Sequence, residues 1–587
     1  MKSSTDNRHK DYSINGVFFK RFIKISIPYW TRPGAWKSWV ILGIFLAFSF
    51  AETGLAAKLS FLAKDMTDAL VNKQEVEYWK LLLLITIIGL IINNGILAIV
   101  FGYIYDKMTI DWRNWLTNHL LGRYLANKSY YKIEQGSLVD NIDQRMEQEV
   151  MPFCSMATTL PRTFIFSVST LGFQGTILQQ ISPTLFYSVF IYGLISSYIT
   201  WLIYRPFIKL NFDSTVAEAD LRYGMLHVRN HAETIALYRG EEAENVSVLR
   251  RLILAVNLQI RKLRYSVFMT SIQALMSLFW GLMPILILTP LYFKGEISFG
   301  VIAQGSASAA IMLSGINQFT NFLPLFAQAA PHVVRLAQII EVTDEINNEP
   351  ETRNNMIEIN RGSNLQADNL TLQTPGRERT LLKDFSITIN NGEHLLILGQ
   401  TGVGKSSFLR AVAGLWREGK GSITLPQQDR LLFLPQRPYM LLGSLREQIS
   451  YPAAHCEMTD EQLQKLLEAV NLPNLAKYHG GFDSVIDWSK VLSLGEQQRI
   501  GFARALASGA KFFFLDEATS AVDMKTERLL YKTLISSGAT VISVGHRQTL
   551  LEYHSKVLEL KEGGLWRVIS IEQAYYEIAN DHNKEAV

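Results

Sequence analysis

Six stretches of about twenty mostly apolar residues crowd into the first 330 positions of this 587-residue chain, and none follows them. No other feature narrows the fold as much. Inside hydrocarbon every backbone N–H and C=O must be satisfied within its own segment, so each stretch reads as a membrane-spanning helix. The stretches are residues 39–62, 81–105, 155–178, 184–205, 266–293 and 299–330. The second, opening on Leu81, Leu82, Leu83 and Leu84, is the clearest. The third and sixth are diluted with Ser, Thr, Gln and Asn.

The rest of the composition fits a chain with a membrane half and a soluble half. Single cores rarely grow past about 300 residues, so this length implies more than one domain. Cys154 and Cys456 are the only cysteines and stand in different halves, which leaves no disulfide framework or cysteine metal cluster and fits a cytosolic soluble half. The net charge of +4 contains no Lys/Arg run, so no nucleic-acid partner is expected. Lys20, Arg21 and Lys24 lie among aromatics with no cleavable apolar core. Val17 to Trp30 therefore reads as an amphipathic helix on the inner membrane surface and not as a signal peptide.

Basic residues set the orientation. The N-terminus, the 106–150 segment (Lys107, Arg113, Arg123, Lys128, Lys132, Arg145) and the 206–265 segment (Lys209, Arg222, Arg229, Arg239, Arg250, Arg251, Arg261, Lys262, Arg264) are basic. The connections at 179–183 and 294–298 hold only Lys294. Six crossings with both termini in the cytosol satisfy this pattern. The two basic segments are long for loops and carry helical periodicity, so they are expected as cytosolic extensions of the spanning helices.

Two polar features interrupt the apolar half. On the sixth stretch Ser314, Asn317, Gln318, Asn321 and Gln328 share one helix face at about 100° per residue. That face reads either as the wall of a hydrated cavity for a hydrophilic cargo or as a seam of interhelical hydrogen bonds. In the first stretch Glu52 and Lys58 lie six residues apart, on different faces. Glu52 reads either as a proton-coupling or cargo-contact group or as a carboxylate satisfied by a neighbouring helix.

After a polar linker the pattern changes to that of an α/β domain. Strand-like Ala367–Gln373 and Ser386–Ile389 precede the buried run His394–Leu398. That run feeds Gly399, Gln400, Thr401, Gly402, Val403, Gly404, Lys405, Ser406 and Ser407. Glycines at this spacing let successive N–H groups face phosphates, Lys405 reaches the β/γ-phosphates and Ser406 offers a hydroxyl to Mg²⁺. A second buried run, Phe512–Leu515, ends in Asp516 and Glu517. The aspartate suits a Mg²⁺ shell, and the glutamate suits polarising a water for attack on ATP. Gln436 stands in Leu-Pro-Gln-Arg-Pro, Asp523 in Ser-Ala-Val-Asp, and His546 follows the strand-like Thr540–Val544. Leu492-Ser-Leu-Gly-Glu-Gln-Gln-Arg499 lies between the two buried runs.

Together these motifs identify the region after the linker as a member of the ABC superfamily. The membership implies an ATP hydrolase with ATP and Mg²⁺ as cofactors. Glu517, Gln436 and His546 take catalytic roles, and Ser406, Gln436 and Asp516 the metal. Ser493, Gly495 and Glu496 contact the γ-phosphate held by a second subunit, with Asp523 nearby. One chain carries one set of each, so a homodimer with two composite sites is implied. Ala232 to Glu244 (AETIALYRGEEAE) and Asn141-Ile-Asp-Gln-Arg145 resemble stretches of the subfamily D half-transporters and their bacterial relatives. Ile142 stands where that group has proline. Asp65 to Trp79 resembles an outer-loop pattern of SbmA/BacA-type peptide permeases, and Leu494 replaces the usual glycine.

The resemblance implies a six-span α-helical transmembrane domain of the type IV, exporter-like fold, fused to an α/β P-loop NTPase domain. Expected boundaries are 1–35 for the interfacial segment, 36–346 for the transmembrane domain, 347–363 for the linker and 364–587 for the nucleotide-binding domain. The implied function is ATP-driven transport, import in the SbmA/BacA reading, of a cobalamin- or peptide-like hydrophilic cargo across the bacterial inner membrane. Export of lipid or peptide and ATP-gated regulation are the alternatives. Many ABC domains stack adenine on an aromatic ahead of the glycine loop. Asn369–Gly376 offers none, which implies loose base selectivity.

Overall fold

The computed structural model describes residues 16–92, 96–136, 138–139, 141–348, 356–374, 377–427 and 430–575. Side chains at 91–92, 96–98, 319–321, 323–324, 327–328 and 348 also lie outside the description. The chain divides into two compact units, Met1–Asn348 and Glu349–Val587.

The described residues of the first unit form helices and their short connections. It contains α1 (Gly16–Thr31), α2 (Trp36–Val71), α3 (Glu75–Ile92), α4 (Ile96–Leu125), α5 (Ser129–Gly136), α6 (Val150–Ile181), α7 (Pro183–Asn230), α8 (Ala232–Tyr238), α9 (Glu241–Phe293) and α10 (Phe299–Asn348). Among the described residues, four segments are long and apolar enough to cross a membrane: α2, α7, α9 and residues 299–318 of α10. The expected second span falls on α3 and α4, on either side of residues 93–95. The expected third span is one helix, α6, whose Ser and Thr residues dilute its hydropathy; many of them, such as Ser167 and Thr170, are buried.

The long basic segments are helical, as their periodicity implies. At about 1.5 Å rise per residue, the 48 residues of α7 and 53 of α9 run well beyond a hydrocarbon core of about 30 Å. The reversal between α6 and α7 takes a single residue. Ser182 is extended and its hydroxyl accepts the Leu185 N–H at 3.3 Å, while Pro183 occupies the first helical turn, where a missing N–H costs nothing. At the far end of α7, the short α8 presents Leu237 and Tyr238 to solvent.

Helix α6 packs along α10, where a Cβ on Gly315 would stand 3.1 Å from the Thr170 side chain. Below this seam the two helices are pinned by charge. The buried Glu149 carboxylate accepts from His332 and Arg335, and Arg145 donates to the Arg335 carbonyl at 3.1 Å and to Gln338. Burial pushes the Glu149 carboxyl up, but the His332 hydrogen bond and the Arg335 and Arg145 charges outweigh it and hold it below its usual value. The expected interfacial helix is α1. One face, with Phe18, Ile25 and Tyr29, is buried against Trp112 and Phe153, and Arg21 grips Glu341 at 2.9 Å. Val17, Phe19, Ile23 and Ile27 form its exposed apolar face. The helix is thus docked on its neighbours as well as apolar on its outer side.

The second unit holds two main sheets and a two-stranded ribbon of β7 (Gly443–Ser444) and β8 (Val485–Ile486). The first has order β1-β5-β2-β3, with β1 Glu358–Arg361, β2 Leu365–Gln373, β3 Thr380–Ile389 and β5 Gly419–Leu425. The second has order β12-β11-β4-β10-β9-β6, with β4 Leu395–Gly399, β6 Leu431–Leu434, β9 Phe512–Asp516, β10 Thr540–Val544, β11 Lys556–Leu560 and β12 Trp566–Ile569. Strands β6, β9, β10, β4 and β11 run parallel, and only β12 is antiparallel. Continuous apolar strands such as Phe512–Leu515 are fully buried, as parallel strands covered on both faces must be. Helices α11 (Lys405–Val412), α12 (Leu445–Ser450), α13 (Asp460–Ala469), α14 (Leu494–Ser508) and α15 (Met524–Ser536) complete the described core. The residues read as linker at 347–363 include β1, which pairs in parallel with β5 through Ile359 opposite Ile423. Its alternation was too short to stand out from polar neighbours. The strand read at Ser386–Ile389 begins earlier, at Thr380.

Candidate ATP site and intramembrane polar positions

The C-terminal ends of the parallel strands gather the expected ATP residues, as open α/β sheets do. Strand β4 passes into the glycine loop at Gly399, whose φ of +150° only glycine adopts without strain. A Cβ there would also stand 2.5 Å from the Leu560 carbonyl oxygen. The loop ends at the N-terminus of α11. The Lys405 ammonium donates to the carbonyls of Gly399 at 2.6 Å and Gln400 at 3.0 Å. Burial pushes Lys405 below the usual lysine range, opposed by the charges of Glu517 and Asp516. Val403 turns into the core, Ser407 is half-buried and Thr401 is exposed.

Strand β9 delivers the carboxylates. Ser406 Oγ donates to Asp516 Oδ1 at 3.1 Å. Burial raises the Asp516 carboxyl, partly offset by that hydrogen bond, while the Glu517 charge pushes it further up. A half-buried carboxylate beside a hydroxyl, destabilised in its charged form, is an oxygen donor set that a hard divalent cation would satisfy. Glu517 sits in the left-handed region at φ +47°, and its N–H donates to the Val544 carbonyl at 3.0 Å. This turn aims the carboxylate away from the strand. Gln436 Nε2 donates to Glu517 Oε2 at 2.7 Å, and His546 Nε2 stands 3.5 Å from Oε1. The glutamate is held from both sides.

Ser493, Gly495 and Glu496 form a separate group at the N-terminus of α14. The Ser493 hydroxyl donates to Glu496 Oε2 at 2.7 Å, and Glu496 also accepts the Ser493 N–H at 2.9 Å. This capping box orders the first turn and leaves its leading N–H groups aligned. A Cβ on Gly495 would stand 2.7 Å from the Ala521 carbonyl oxygen, so the close approach requires glycine. Asp523 caps α15 by accepting the Thr526 N–H at 2.9 Å.

Three residues that motif spacing does not single out tie these parts together. Gln498, buried in α14, donates to the Gln436 carbonyl at 2.9 Å and Ser520 Oγ at 3.1 Å, and accepts the Ala521 N–H at 3.0 Å. Arg547 donates to the carbonyls of Val522 at 2.8 Å and Ser520 at 2.9 Å and pairs at 3.1 Å with Glu527, itself fully buried. The places of Gln498 within the Leu492–Arg499 motif and of Arg547 beside His546 were the available signal, and Glu527 had none.

In the membrane unit, Glu52 faces Arg162 of α6 at 3.9 Å, with side chains 37% and 41% exposed in the protomer. The Arg162 guanidinium also lies 4.3 Å over the Phe101 ring. An arginine inside the third apolar stretch is a signal that polarity counting along the sixth stretch passes over. Tyr105 continues this polar surface through Ser155 Oγ at 2.9 Å and Thr159 at 3.0 Å. Lys58 is exposed elsewhere on α2. On α10, Ser314 is exposed and donates to its own helix at Ile311, whereas Asn317 accepts from Ser196 of α7 at 3.4 Å. Gln318 is half-buried, and the side chains of Asn321 and Gln328 lie outside the described residues. The stripe is thus divided between an open side and a helix interface.

Residues 22–293 match the family described as ABC transporter transmembrane region 2, and residues 382–520 match the family described as ABC transporter. An uncharacterized ABC transporter ATP-binding protein of Synechocystis sp. is 39% identical over 546 residues, covering 91% of this chain and 82% of that protein. The chloroplastic ABC transporter D family member 2 of Arabidopsis thaliana is 32% identical, covering 93% and 86%. The human lysosomal cobalamin transporter ABCD4 is 28% identical, covering 94% and 96%. A bacterial Atm1-family ABC exporter with ATP bound superposes with a TM-score of 0.73 at 16% identity, covering 93% of this chain and 98% of that one, which shows a shared fold.

Proposed function

The chain belongs to the ABC transporter family, as a subfamily D half-transporter that couples ATP to membrane transport, and we propose that it imports a bulky hydrophilic solute as a homodimer. The proposed cargo is of cobalamin or peptide kind, and the proposed location is a bacterial inner membrane with both termini cytosolic. The observation that carries the hydrophilic cargo is the Glu52–Arg162 pair, two charges set among apolar helices and still open in the protomer. Charges at that depth are costly unless water or a polar ligand meets them. The cobalamin transporter among the relatives favours the same cargo class, and the resemblance to SbmA/BacA-type permeases favours the inward direction.

In the proposed ATP cycle, Lys405 leaves the carbonyls of Gly399 and Gln400 for the phosphates, and the α11 N-terminus adds its aligned N–H groups. Glu517 accepts a hydrogen bond from the attacking water, with Gln436 and His546 fixing its two oxygens. Ser406, Asp516 and Gln436 would hold Mg²⁺, which when bound neutralises charge developing on the phosphates. The leading N–H groups and hydroxyl of the Ser493 turn close on the γ-phosphate of the partner's loop, which makes the dimer obligatory for turnover.

Proteoliposomes loaded with labelled cobalamin or a proline-rich peptide, with Mg-ATP outside only, test the reading. Only molecules with outward-facing ATPase units respond, so the bath is their cytosolic side. ATP-dependent loss of label into the bath, absent in Glu517→Gln, is the expected result. Accumulation from the bath would mean export, and hydrolysis without flux of either cargo would remove the hydrophilic assignment.

A further inference from the structure

Where α7 and α9 leave the apolar zone, Pro206, Lys209, Leu210, Asp213, Arg261, Arg264, Tyr265 and Phe268 enclose a cavity of about 560 Å³. Its position is marked by the chain itself. On α7 the cavity begins one residue after the apolar run 184–205, and on α9 it ends two residues into the run 266–293. An aromatic belt surrounds that level. Phe207 stacks on Tyr265 at 6.4 Å, Tyr265 meets Phe268 at 5.8 Å, and Tyr204 meets Phe207 at 6.0 Å. Trp201 carries the Arg205 guanidinium 4.3 Å above its ring. Amphipathic rings and snorkelling arginines of this kind sit at the headgroup level of a bilayer.

The charge of the cavity is not balanced among the described residues. Lys209, Arg261 and Arg264 face one carboxylate, Asp213, and among the described residues none of the three cations pairs with a carboxylate within 4.0 Å. The neighbouring Lys262, by contrast, is spent on Asn211 Oδ1 at 2.7 Å. Phe268 at the cavity is exposed in the protomer, as are Leu202, Leu263 and Val267 on the same two helices. Three free cations above exposed apolar side chains suit a phosphate joined to acyl chains.

We propose that this cavity binds the phosphate headgroup of an anionic lipid, with Arg261, Arg264 and Lys209 on the phosphate and the acyl chains along Val267 and Phe268. The site is distinct from the ATP site and does not depend on the direction of transport. The orientation given above makes it an inner-leaflet site. Basic pockets between spanning helices recognise such headgroups through charge and hydrogen bonding together.

The test uses the full chain in phosphatidylcholine nanodiscs, titrated with a fluorescent phosphatidylglycerol and read by energy transfer from tryptophan. Saturable binding is expected. Arg261→Gln with Arg264→Gln should raise Kd about thirtyfold, at about fivefold for each basic residue near an anionic headgroup. Arg222→Gln with Arg229→Gln, exposed on α7 outside the cavity, should leave Kd unchanged. The lysine pair Arg261→Lys with Arg264→Lys, which keeps the charge, should retain most of the affinity, and Lys209→Gln alone should cost about fivefold. Equal Kd in wild type and the glutamine pair would overturn the site. Displacement by millimolar inorganic phosphate would overturn the lipid assignment in favour of a soluble phosphate, and displacement by cobalamin or peptide would make the cavity part of the cargo path.

Discussion

Replacing Gln498 with leucine should slow ATP turnover far more than it weakens ATP binding. Leucine keeps nearly the volume of glutamine but loses three hydrogen bonds, to the Gln436 carbonyl, Ser520 Oγ and the Ala521 N–H. At about 0.5–1.5 kcal/mol net for each, the loss spans about 1.5–4.5 kcal/mol. Gln436, Ser520 and Ala521 are themselves exposed and regain water when released, so the lower part of the range applies, about 2 kcal/mol. That energy now favours one placement of two loops: the Gln436 loop, which orients Glu517, and the Ser520–Asp523 loop, which Gly495 approaches. Loosening them by about 2 kcal/mol thins the productive arrangement about thirtyfold. Steady-state hydrolysis by purified full-length protein should show kcat reduced by at least tenfold and KM for ATP within about threefold, because the glycine loop is untouched. A kcat within twofold of wild type would refute the positioning role. A matching fall in the binding of a fluorescent ATP analogue would instead mean that the unit had lost its fold.

Other outcomes follow from particular contacts. His554 is buried with its ring between the Leu550 carbonyl, 2.6 Å from Nδ1, and Ser543 Oγ, 2.9 Å from Nε2; burial pushes it down to about 4 from 6.5. The folded unit therefore holds it neutral, and stability complete above about pH 6.5 is lost as pH falls toward 4. That loss amounts to about 2 kcal/mol by pH 5, and hydrogen exchange of the β10 amides should register it in wild type but not in His554→Gln. Arg162→Gln should abolish transport while leaving basal ATP hydrolysis within about twofold, since it strips the partner from Glu52 and touches no ATP residue; normal uptake would remove the pair from the cargo path. If Glu52 carries protons, Glu52→Gln will flatten the pH dependence of transport between pH 5 and 8, and unchanged transport across that range would end the idea. GTP should support hydrolysis within about tenfold of ATP, because no aromatic at Asn369–Gly376 selects the base. A hundredfold preference for ATP would show that selection lies elsewhere.

Much of this architecture is written in periodicity and spacing. The glycine loop, the paired carboxylates after β9 and the strand before His546 stand where their motifs imply, because phosphate chemistry permits little freedom in the order of strand, loop and helix. Helix α10 and the long α7 and α9 follow equally from the apolar and helical patterns of their segments. What escaped lies in contacts between distant segments. Arg162 and Glu52 are 110 positions apart, and only the packing of α6 on α2 makes them a pair. Gln498 looks like one more polar residue of its motif until two loops fold onto it. Strand β1 is hidden for another reason: four residues with one half-buried side chain carry no period, and pairing with β5 alone makes them a strand. Asn317 could not be assigned to water or to a neighbour before Ser196 was found beside it.

Lys405 closes the glycine loop by itself, through the carbonyls of Gly399 and Gln400. The cradle is thereby held in shape without nucleotide, and on the proposed cycle an arriving phosphate swaps places with two carbonyls instead of moulding a slack backbone. Occupancy of this socket alone then transmits little to the rest of the molecule. On the proposed cycle, the signal that nucleotide is present originates in the parts that have to travel, the Gln436 loop and the Ser493 turn, and their closure times transport.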